Sequence, residues 1–379
     1  MALLSSELSR ASGWGTVTYE LCEELLHRTD VSFRLLLPKN LPRDWDAPFS
    51  AAIRCVLPPW TRSFRGRPQR LLPFTFPPSR IPEADLIHAI VEFPYAILAW
   101  RLSRKMGVPF LVSTHGTYGV VPFSCWLDAP LYRQAFRRAA AITAPSRFTA
   151  DAVRTASGLT RSIEIVHNPV NYARFQQPVN TDSVRQRLGI AQNAYLVLSV
   201  GALKMRKGFD ILLRAFATVA SQDASARLVI VGNGESGALA GLAHALGISS
   251  AVQLLGAVPE KELVGLYHAC DVFALLPRNH RWNFEGFGIV YLEAGACGKP
   301  VVGTRSGGVA EAVRDGETGL LVPEEDVDAA AACLLRLRRE PVLARALGTG
   351  GRKLAEAFHS TRFADRVVAL YRHILGNPP

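Results

Sequence analysis

Short apolar runs alternate with longer amphipathic stretches along most of the chain, the pattern of strands and helices laid down in turn. In the first half the pattern predicts strands near 2–6, 32–37, 51–56, 86–90, 109–114, 140–144 and 162–167. It predicts helices near 15–28, 95–106, 127–139 and 147–157. The second half is more regular. "AYLVLSVG", "RLVIVG", "VQLLG", "VFALLP", "PVVGT" and "GLLV" read as strands. Between them "GFDILLRAFATVA", "ALAGLAHALG", "EKELVGLYHAC", "GIVYLEAGACG" and "VAEAV" read as helices, the second ending at Gly247 as a C-cap. Three helical segments, 326–339, 341–357 and 361–375, close the chain. Between the halves, "HNPVNYARFQQPVNTDS" has prolines, asparagines and little periodicity, and reads as a linker.

Such alternation gives parallel sheets flanked by helices, and 379 residues exceed one ordinary core, so two α/β domains are expected. Two open domains facing one another place a ligand cleft between them, and in each sheet ligands gather outside the carboxyl ends of the strands. Composition fits a packed globular protein, 49% hydrophobic and 20% charged. The longest apolar stretch, "LIHAIVEFPYAILAW", is interrupted by Glu92 and Pro94, and "MALLSSELSR" lacks the basic start of a signal peptide. Neither a membrane span nor a leader is expected. The six cysteines show no C-x-x-C and no regular spacing, so reduced, buried thiols in a cytoplasmic protein are expected rather than a disulfide frame or zinc site.

The net charge of +11 is uneven. Residues 1–170 carry 20 basic against 13 acidic side chains, and residues 54–80 carry six arginines and no acid, interleaved with Trp60, Phe64, Phe74 and Phe76. A segment of this kind suits an anionic lipid surface, nucleic acid or another polyanion; a proline-broken loop over a sheet edge accounts for it equally well.

Two motifs carry candidate chemistry. "SVGALKMRKGFD" runs from a strand through Gly201 and a loop to the start of a helix, where Arg206 and Lys207 stand. Unpaired backbone N–H groups already favour an anion there, so two cations oppose the helix dipole unless something negative lies between them. A diphosphate is the natural candidate; a solvated basic turn is the plain alternative. "EGFGIVYLEAGACGKP" repeats the geometry. Gly286 and Gly288 admit close approach of a ligand, and the amides around Phe287, Gly288 and Ile289 point out of the helix start. Glu285 and Glu293 are eight residues apart, which turns a helix by about 800°, so they do not share a face. Glu285 falls in the loop and Glu293 two turns into the helix. An acid before a helix also acts as a cap, but capping does not explain the paired glycines.

The combination resembles retaining glycosyltransferases of the GT-B fold, family 4 ("glycosyl transferases group 1"). From Leu196 to Pro323, "RKG", "GNGE", "ACDVFALLP", "EGFGIVYLEAGACGKPVV" and "GGVAEAVRDGETGLLV" follow in that family's order. The resemblance implies two facing Rossmann-like domains with parallel sheets and an interdomain cleft. Residues 1–170 would form an acceptor-side domain and 171–360 a nucleotide-sugar-binding domain, with 361–379 a C-terminal helix packing back on the first. Glu285 would hold hydroxyls of the donor sugar and Glu293 the ribose. Phe287, Gly288 and Ile289 would present backbone groups to sugar and phosphate, and Arg206 and Lys207 would neutralise the leaving diphosphate. In the first half "ASGWGTVTYEL" resembles the family's glycine loop, placing Gly13 and Gly15 near phosphates or acceptor, and His115 of "STHGTYG" matches its histidine beside the transferred sugar. Two departures stand out. Pro169 replaces a glycine of the interdomain segment, and Ala202 stands where many relatives carry arginine, a charge Arg206 can supply.

The implied reaction moves a hexose from a nucleotide diphosphate sugar to a hydroxyl of a glycan or lipid-linked acceptor, with retention and without metal or cofactor. "FEGFGIVYLEA" looks like bacterial mannosyltransferases of the family, favouring GDP-mannose over a UDP-sugar. Relatives acting on lipid-linked acceptors carry a basic, apolar element where 54–80 lies. Peripheral contact of Arg62, Phe64, Arg65, Arg67 and Arg70 with an anionic membrane, and no nucleic acid partner, is therefore expected. "GNGESG" satisfies the dinucleotide fingerprint, but 248–259 holds no acid to receive a ribose, so it reads as a turn of the nucleotide-sugar domain. "DWD" at 44–46 and "DVD" at 326–328 imitate a metal-binding D-x-D without following a strand, and the nine histidines show no zinc pattern. Rival readings are a nucleotide-sugar epimerase on the same fold and a non-catalytic sugar-nucleotide-binding partner.

Overall fold

The computed structural model describes residues 1–10, 12–39, 41, 47–57 and 83–376. Most of the basic stretch lies outside them, including Arg62, Phe64, Arg65, Arg67 and Arg70, as do Asp44 and Asp46. The chain divides into two compact units, Met1–Pro169 with Ser360–Pro379, and Val170–His359.

In the first unit β1 (Ala2–Leu4), β2 (Arg34–Pro38), β3 (Ile53–Leu57), β4 (Ile87–Ala89), β5 (Phe110–Ser113), β6 (Ala141–Ala144) and β7 (Glu164–Ile165) form one sheet in the order β3-β2-β1-β4-β5-β6-β7. Every pairing in it is parallel. The chain starts in the middle, winds to one edge, then returns past its start and winds to the other. The connection therefore reverses between β1 and β4, which leaves a crevice at their carboxyl ends. Helix α1 (Gly13–Leu26) follows β1, and α2 (Glu92–Met106) follows β4.

The C-terminal helix, Ser360–Ile374, packs within this unit. Ser360 and Thr361 donate to Glu24 on α1 at 2.8 and 3.1 Å, and Arg28 and Arg372 pair with Asp365 and Asp30. A buried chain of hydrogen bonds then runs into the sheet. Tyr371 Oη is 2.7 Å from His88 Nδ1, His88 Nε2 is 2.7 Å from Ser113, and Thr143 donates to Ser113 at 2.8 Å. The hydroxyls of Tyr371 and Ser113 can each donate or accept, so either tautomer of the neutral imidazole is satisfied on both sides.

The second unit repeats the plan. Strands β8 (Leu196–Val200), β9 (Arg227–Val231), β10 (Val252–Leu255), β11 (Val272–Ala274), β12 (Val301–Thr304) and β13 (Gly319–Val322) lie in the order β10-β9-β8-β11-β12-β13, all parallel. Here the winding reverses between β8 and β11. The residues of β8, β11, β12 and β13 are buried throughout, as expected of strands covered on both faces by helices. Helices α3 (Phe209–Gln222), α4 (Ile289–Ala296), α5 (Val327–Arg339) and α6 (Pro341–Ala357) supply that cover.

One expectation changes, and two motifs find their local cause. The segment read as a linker is ordered: Tyr172–Gln176 forms a 3-10 turn and Thr181–Arg187 a helix. Its asparagines cap rather than disorder it, since Asn171 accepts from Arg174 N at 3.1 Å and Asn180 from Ser183 N at 3.0 Å. Phe175 is buried edge-on against Tyr267. Caps and a single anchor leave no periodicity to read. The "DVD" motif has the same explanation: Asp326 is the N-cap of α5, accepting from Ala329 N at 2.9 Å. "GNGESG" is a packing turn, in which a Cβ on Gly232 would stand 1.8 Å from the Gly201 carbonyl oxygen.

Candidate active site

The candidate residues of the second unit converge at its switch point. Arg206 and Lys207 do not open α3 as expected. They form a separate 3-10 turn, Met205–Lys207, and Gly208 then turns the chain into the helix. At Gly208 φ is 68° and a Cβ would stand 1.7 Å from the Leu276 carbonyl oxygen, so the loops after β8 and β11 touch at this glycine. Arg278 N donates to the Arg206 carbonyl at 2.9 Å and locks them together.

The negative charge between the two cations is supplied by the protein itself. Glu285 Oε2 lies 2.7 Å from Arg206 Nη1 and 2.6 Å from Lys207 Nζ. All three side chains are largely buried. Burial opposes the charge on Glu285, but Lys207 and Arg206 outweigh it and hold its carboxyl down at about 2. Burial lowers the Lys207 ammonium below the usual lysine range, with Glu285 opposing. The loop is fixed from behind as well. Gly308 N donates to the Glu285 carbonyl at 2.8 Å, and a Cβ on Gly307 would stand 2.2 Å from that oxygen. The glycines of "SGGV" after β12 thus set the height of Glu285.

Gly286, Phe287, Gly288 and Ile289 lead from Glu285 into α4, and all are buried. Gly288 has φ of 95°, and a Cβ there would stand 2.7 Å from the Tyr291 ring, whose hydroxyl donates to the Leu275 carbonyl at 2.7 Å. The ring of Tyr291 therefore dictates a glycine at the helix start. Because α4 begins at Ile289, Glu293 lies just over one turn in, not two. It accepts from Tyr267 Oη at 2.7 Å. Burial, reinforced by Glu293, pushes the Tyr267 phenol well above its usual range, so Tyr267 is the donor. Gly201 follows β8 beside Lys207, whose nearest side-chain carbon would lie 3.6 Å from a Cβ there.

In the first unit the glycine loop and the His115 loop are neighbours, with the rings of Trp14 and Tyr118 edge to face at 4.7 Å. The two glycines differ. A Cβ on Gly15 would stand 2.1 Å from the Ser9 carbonyl oxygen, whereas one on Gly13 meets nothing within 4 Å. Gly15 also donates to the Ser12 N-cap at 3.1 Å, so it is needed by the fold and Gly13 is not. His115 Nε2 donates to the Ile90 carbonyl at 2.7 Å, which makes Nδ1 the unprotonated nitrogen. Nδ1 is buried without a hydrogen-bond partner among the described residues, with Asn168 close by. Burial holds His115 neutral, its pKa brought down to about 4.

Sequence reasoning missed Tyr267, Tyr291, Gly307, Gly308 and Glu92, each of which fixes a residue it had found. Glu92 left a signal, since a lone acid within an apolar run needs a reason. Among the described residues no three His, Cys, Asp or Glu side chains gather as a metal-ligand set, and no helix is long and apolar enough to cross a membrane.

Two doubly wound parallel sheets, with cations and an acid at the switch point of the second, define a GT-B glycosyltransferase, which transfers a sugar from a nucleoside diphosphate sugar to an acceptor. The sequence model described as glycosyl transferases group 1 matches residues 180–354, and that of the glycosyl transferase 4-like domain matches 12–169. A GDP-mannose-dependent alpha-(1-6)-phosphatidylinositol monomannoside mannosyltransferase of Mycolicibacterium smegmatis is 36% identical over 272 residues, 69% of either chain. A GDP-mannose-dependent monoacylated alpha-(1-6)-phosphatidylinositol monomannoside mannosyltransferase of Corynebacterium glutamicum is 32% identical over 285 residues, 73% of this chain and 72% of its own. Anabaena Alr3699/HepE, crystallised with UDP-glucose, shares the fold at a TM-score of 0.79 and 20% identity, over 98% of this chain and 99% of its own. The chain belongs to the glycosyl transferases group 1 family.

Proposed function

We propose that the protein is a retaining, metal-independent hexosyltransferase. It moves mannose from GDP-mannose, in preference to a sugar from a UDP donor, to a hydroxyl of a glycan or lipid-linked acceptor. The observation that carries the reading is the buried Glu285–Arg206–Lys207 cluster at the β8/β11 switch point, where an α/β sheet binds its ligand. The GDP-mannose dependence of the Mycolicibacterium and Corynebacterium relatives supports the donor, and the phosphatidylinositol monomannoside in their names supports a lipid-linked acceptor.

In this reading Arg206 and Lys207 balance the charge that grows on the diphosphate as the glycosidic bond breaks, and Glu285 orients the sugar and holds the cations in place. Backbone groups of Gly286, Phe287, Gly288 and Ile289 take sugar and phosphate at the start of α4, Gly201 lets the donor come close, and Glu293 takes the ribose, steadied by Tyr267. In the first unit His115 meets the transferred sugar through Nδ1, and Gly13 and Gly15 take phosphate or acceptor. Glu285 is not assigned as a nucleophile: its tight pairing with two cations makes it a poor one.

The test is incubation with GDP-mannose and a panel of UDP-sugars, following nucleoside diphosphate release with and without acceptor. Acceptor-dependent release from GDP-mannose is expected. Donor interconversion without release would point to an epimerase, and binding without either reaction to a non-catalytic partner.

Peripheral contact with an anionic membrane on the cytoplasmic side belongs to the same proposal, supported by the arginines of 54–80. Replacing Arg62, Arg65, Arg67 and Arg70 together by glutamine should weaken co-sedimentation with anionic vesicles at least tenfold, at about 1 kcal/mol per cation. Unchanged co-sedimentation removes this part.

A further inference from the structure

Glu92 is completely buried at the start of α2, yet it pairs with no cation among the described residues. Its Oε1 accepts the backbone N–H of His115 at 3.2 Å, while Oε2 is buried without a partner. Two residues earlier in the same segment, the Ile90 carbonyl receives His115 Nε2–H. The short stretch after β4 therefore grips His115 twice, the backbone by a side chain and the ring by a backbone oxygen. Removing either grip acts on a different part of the residue. Gly119 closes the pocket, since a Cβ there would stand 3.4 Å from Oε1 and 3.1 Å from Thr114.

We propose that Glu92 is a positioning residue for His115, a buried carboxylic acid kept for the acceptor oxygen it gives to the His115 amide. The proposal rests on the reading of His115 as the sugar-facing group of the first unit. An acid in an apolar site is costly, and a leucine of similar size would fill the space without that cost. What leucine cannot do is accept from the His115 amide, beside a ring whose Nδ1 has no hydrogen-bond partner among the described residues. The titratable neighbours are Tyr132, which feels Glu92 and Asp128, together with His115 and, beyond it, His88. None is a cation that would draw the acid into its ionised form. Burial accordingly pushes its pKa up to about 8.

The experiment compares Glu92→Leu, Glu92→Gln and His115→Ala with the wild-type chain for kcat and donor KM, at a temperature where thermal unfolding shows each folded. Glu92→Leu should lower kcat 10- to 100-fold, the range for a catalytic group misplaced by a fraction of an ångström to an ångström, with donor KM within threefold. Glu92→Gln keeps the oxygen and should stay within threefold of wild type in both. Should Glu92→Leu not fold, Glu92→Met, unbranched and close in size, takes its place with the same expectation. Full kcat in Glu92→Leu or Glu92→Met overturns the proposal, as does a 10-fold loss in Glu92→Gln. Undiminished turnover in His115→Ala would remove the reading of His115 itself. A loss confined to Glu92→Leu would then mark a packing defect, not positioning.

Discussion

Lys207→Ala is expected to lower kcat by about 10²–10³, with a smaller change in donor KM. The ammonium is held where charge develops on the leaving group, and one preorganised interaction of that kind is worth roughly 3–4 kcal/mol. An interaction that strengthens as the bond breaks appears in kcat more than in KM. Glu285→Gln makes the complementary case. It leaves Arg206 and Lys207 in their buried site without the carboxylate now 2.7 and 2.6 Å away. Breaking a buried pair from one side costs roughly 3–5 kcal/mol of stability. The two unbalanced cations should then bind nucleoside diphosphate more tightly than in the wild type, while turnover falls, because the sugar loses its orienting group. Lys207→Ala should weaken the same ligand. Opposite changes in nucleoside diphosphate affinity, measured by calorimetry, are the signature of a charge cluster that shares its cations between Glu285 and the ligand. Turnover near wild type in Lys207→Ala at saturating donor would remove the leaving-group role.

The cluster also shows where sequence reading reaches and where it stops. Two cations before a helix demand a counter-charge, and that demand was legible; its source was not. A diphosphate and a glutamate 78 residues further on satisfy it equally well from the sequence, and only the adjacency of β8 and β11 selects Glu285. The strands were legible because a parallel sheet buried on both faces leaves continuous apolar runs, and the glycines because Gly288 has no room for a Cβ. What stayed hidden was whatever holds a functional residue from behind. Tyr267 lies 26 residues from Glu293, and Glu92 lies 23 from His115, with no periodicity joining either pair. The capped segment 171–187 failed for another reason: asparagine and proline favour loops in general, and nothing local says that Asn171 and Asn180 will cap.

Acidification should destabilise the first unit in a way that separates its buried groups. Burial, with His115 adding to it, holds His88 down at about 3, and burial holds His115 at about 4, both against an ordinary 6.5. Between pH 6.5 and 4.5 the unfolded chain takes up a proton at each of these histidines that the folded protein refuses. Each therefore removes roughly 1.4 kcal/mol of stability per pH unit on the way down. Glu92 works the other way. Held at about 8 by burial against an ordinary 4.5, it keeps its proton when folded and loses it when unfolded, so its contribution grows as pH falls through the same window. Two losses against one gain leave the wild type falling by about 1.4 kcal/mol per pH unit, apart from a smaller loss from half-buried His268, also lowered by burial. Substituting His88→Gln, whose amide can still bridge Tyr371 and Ser113, should remove most of that slope. Glu92→Gln should roughly double it. Denaturant titrations of the three chains at pH 6.5, 5.5 and 4.5 decide the matter. Parallel stability curves for wild type and His88→Gln would mean that His88 does not stay neutral where the C-terminal helix meets the sheet, and the Tyr371–His88–Ser113 chain would lose its role as the latch between them.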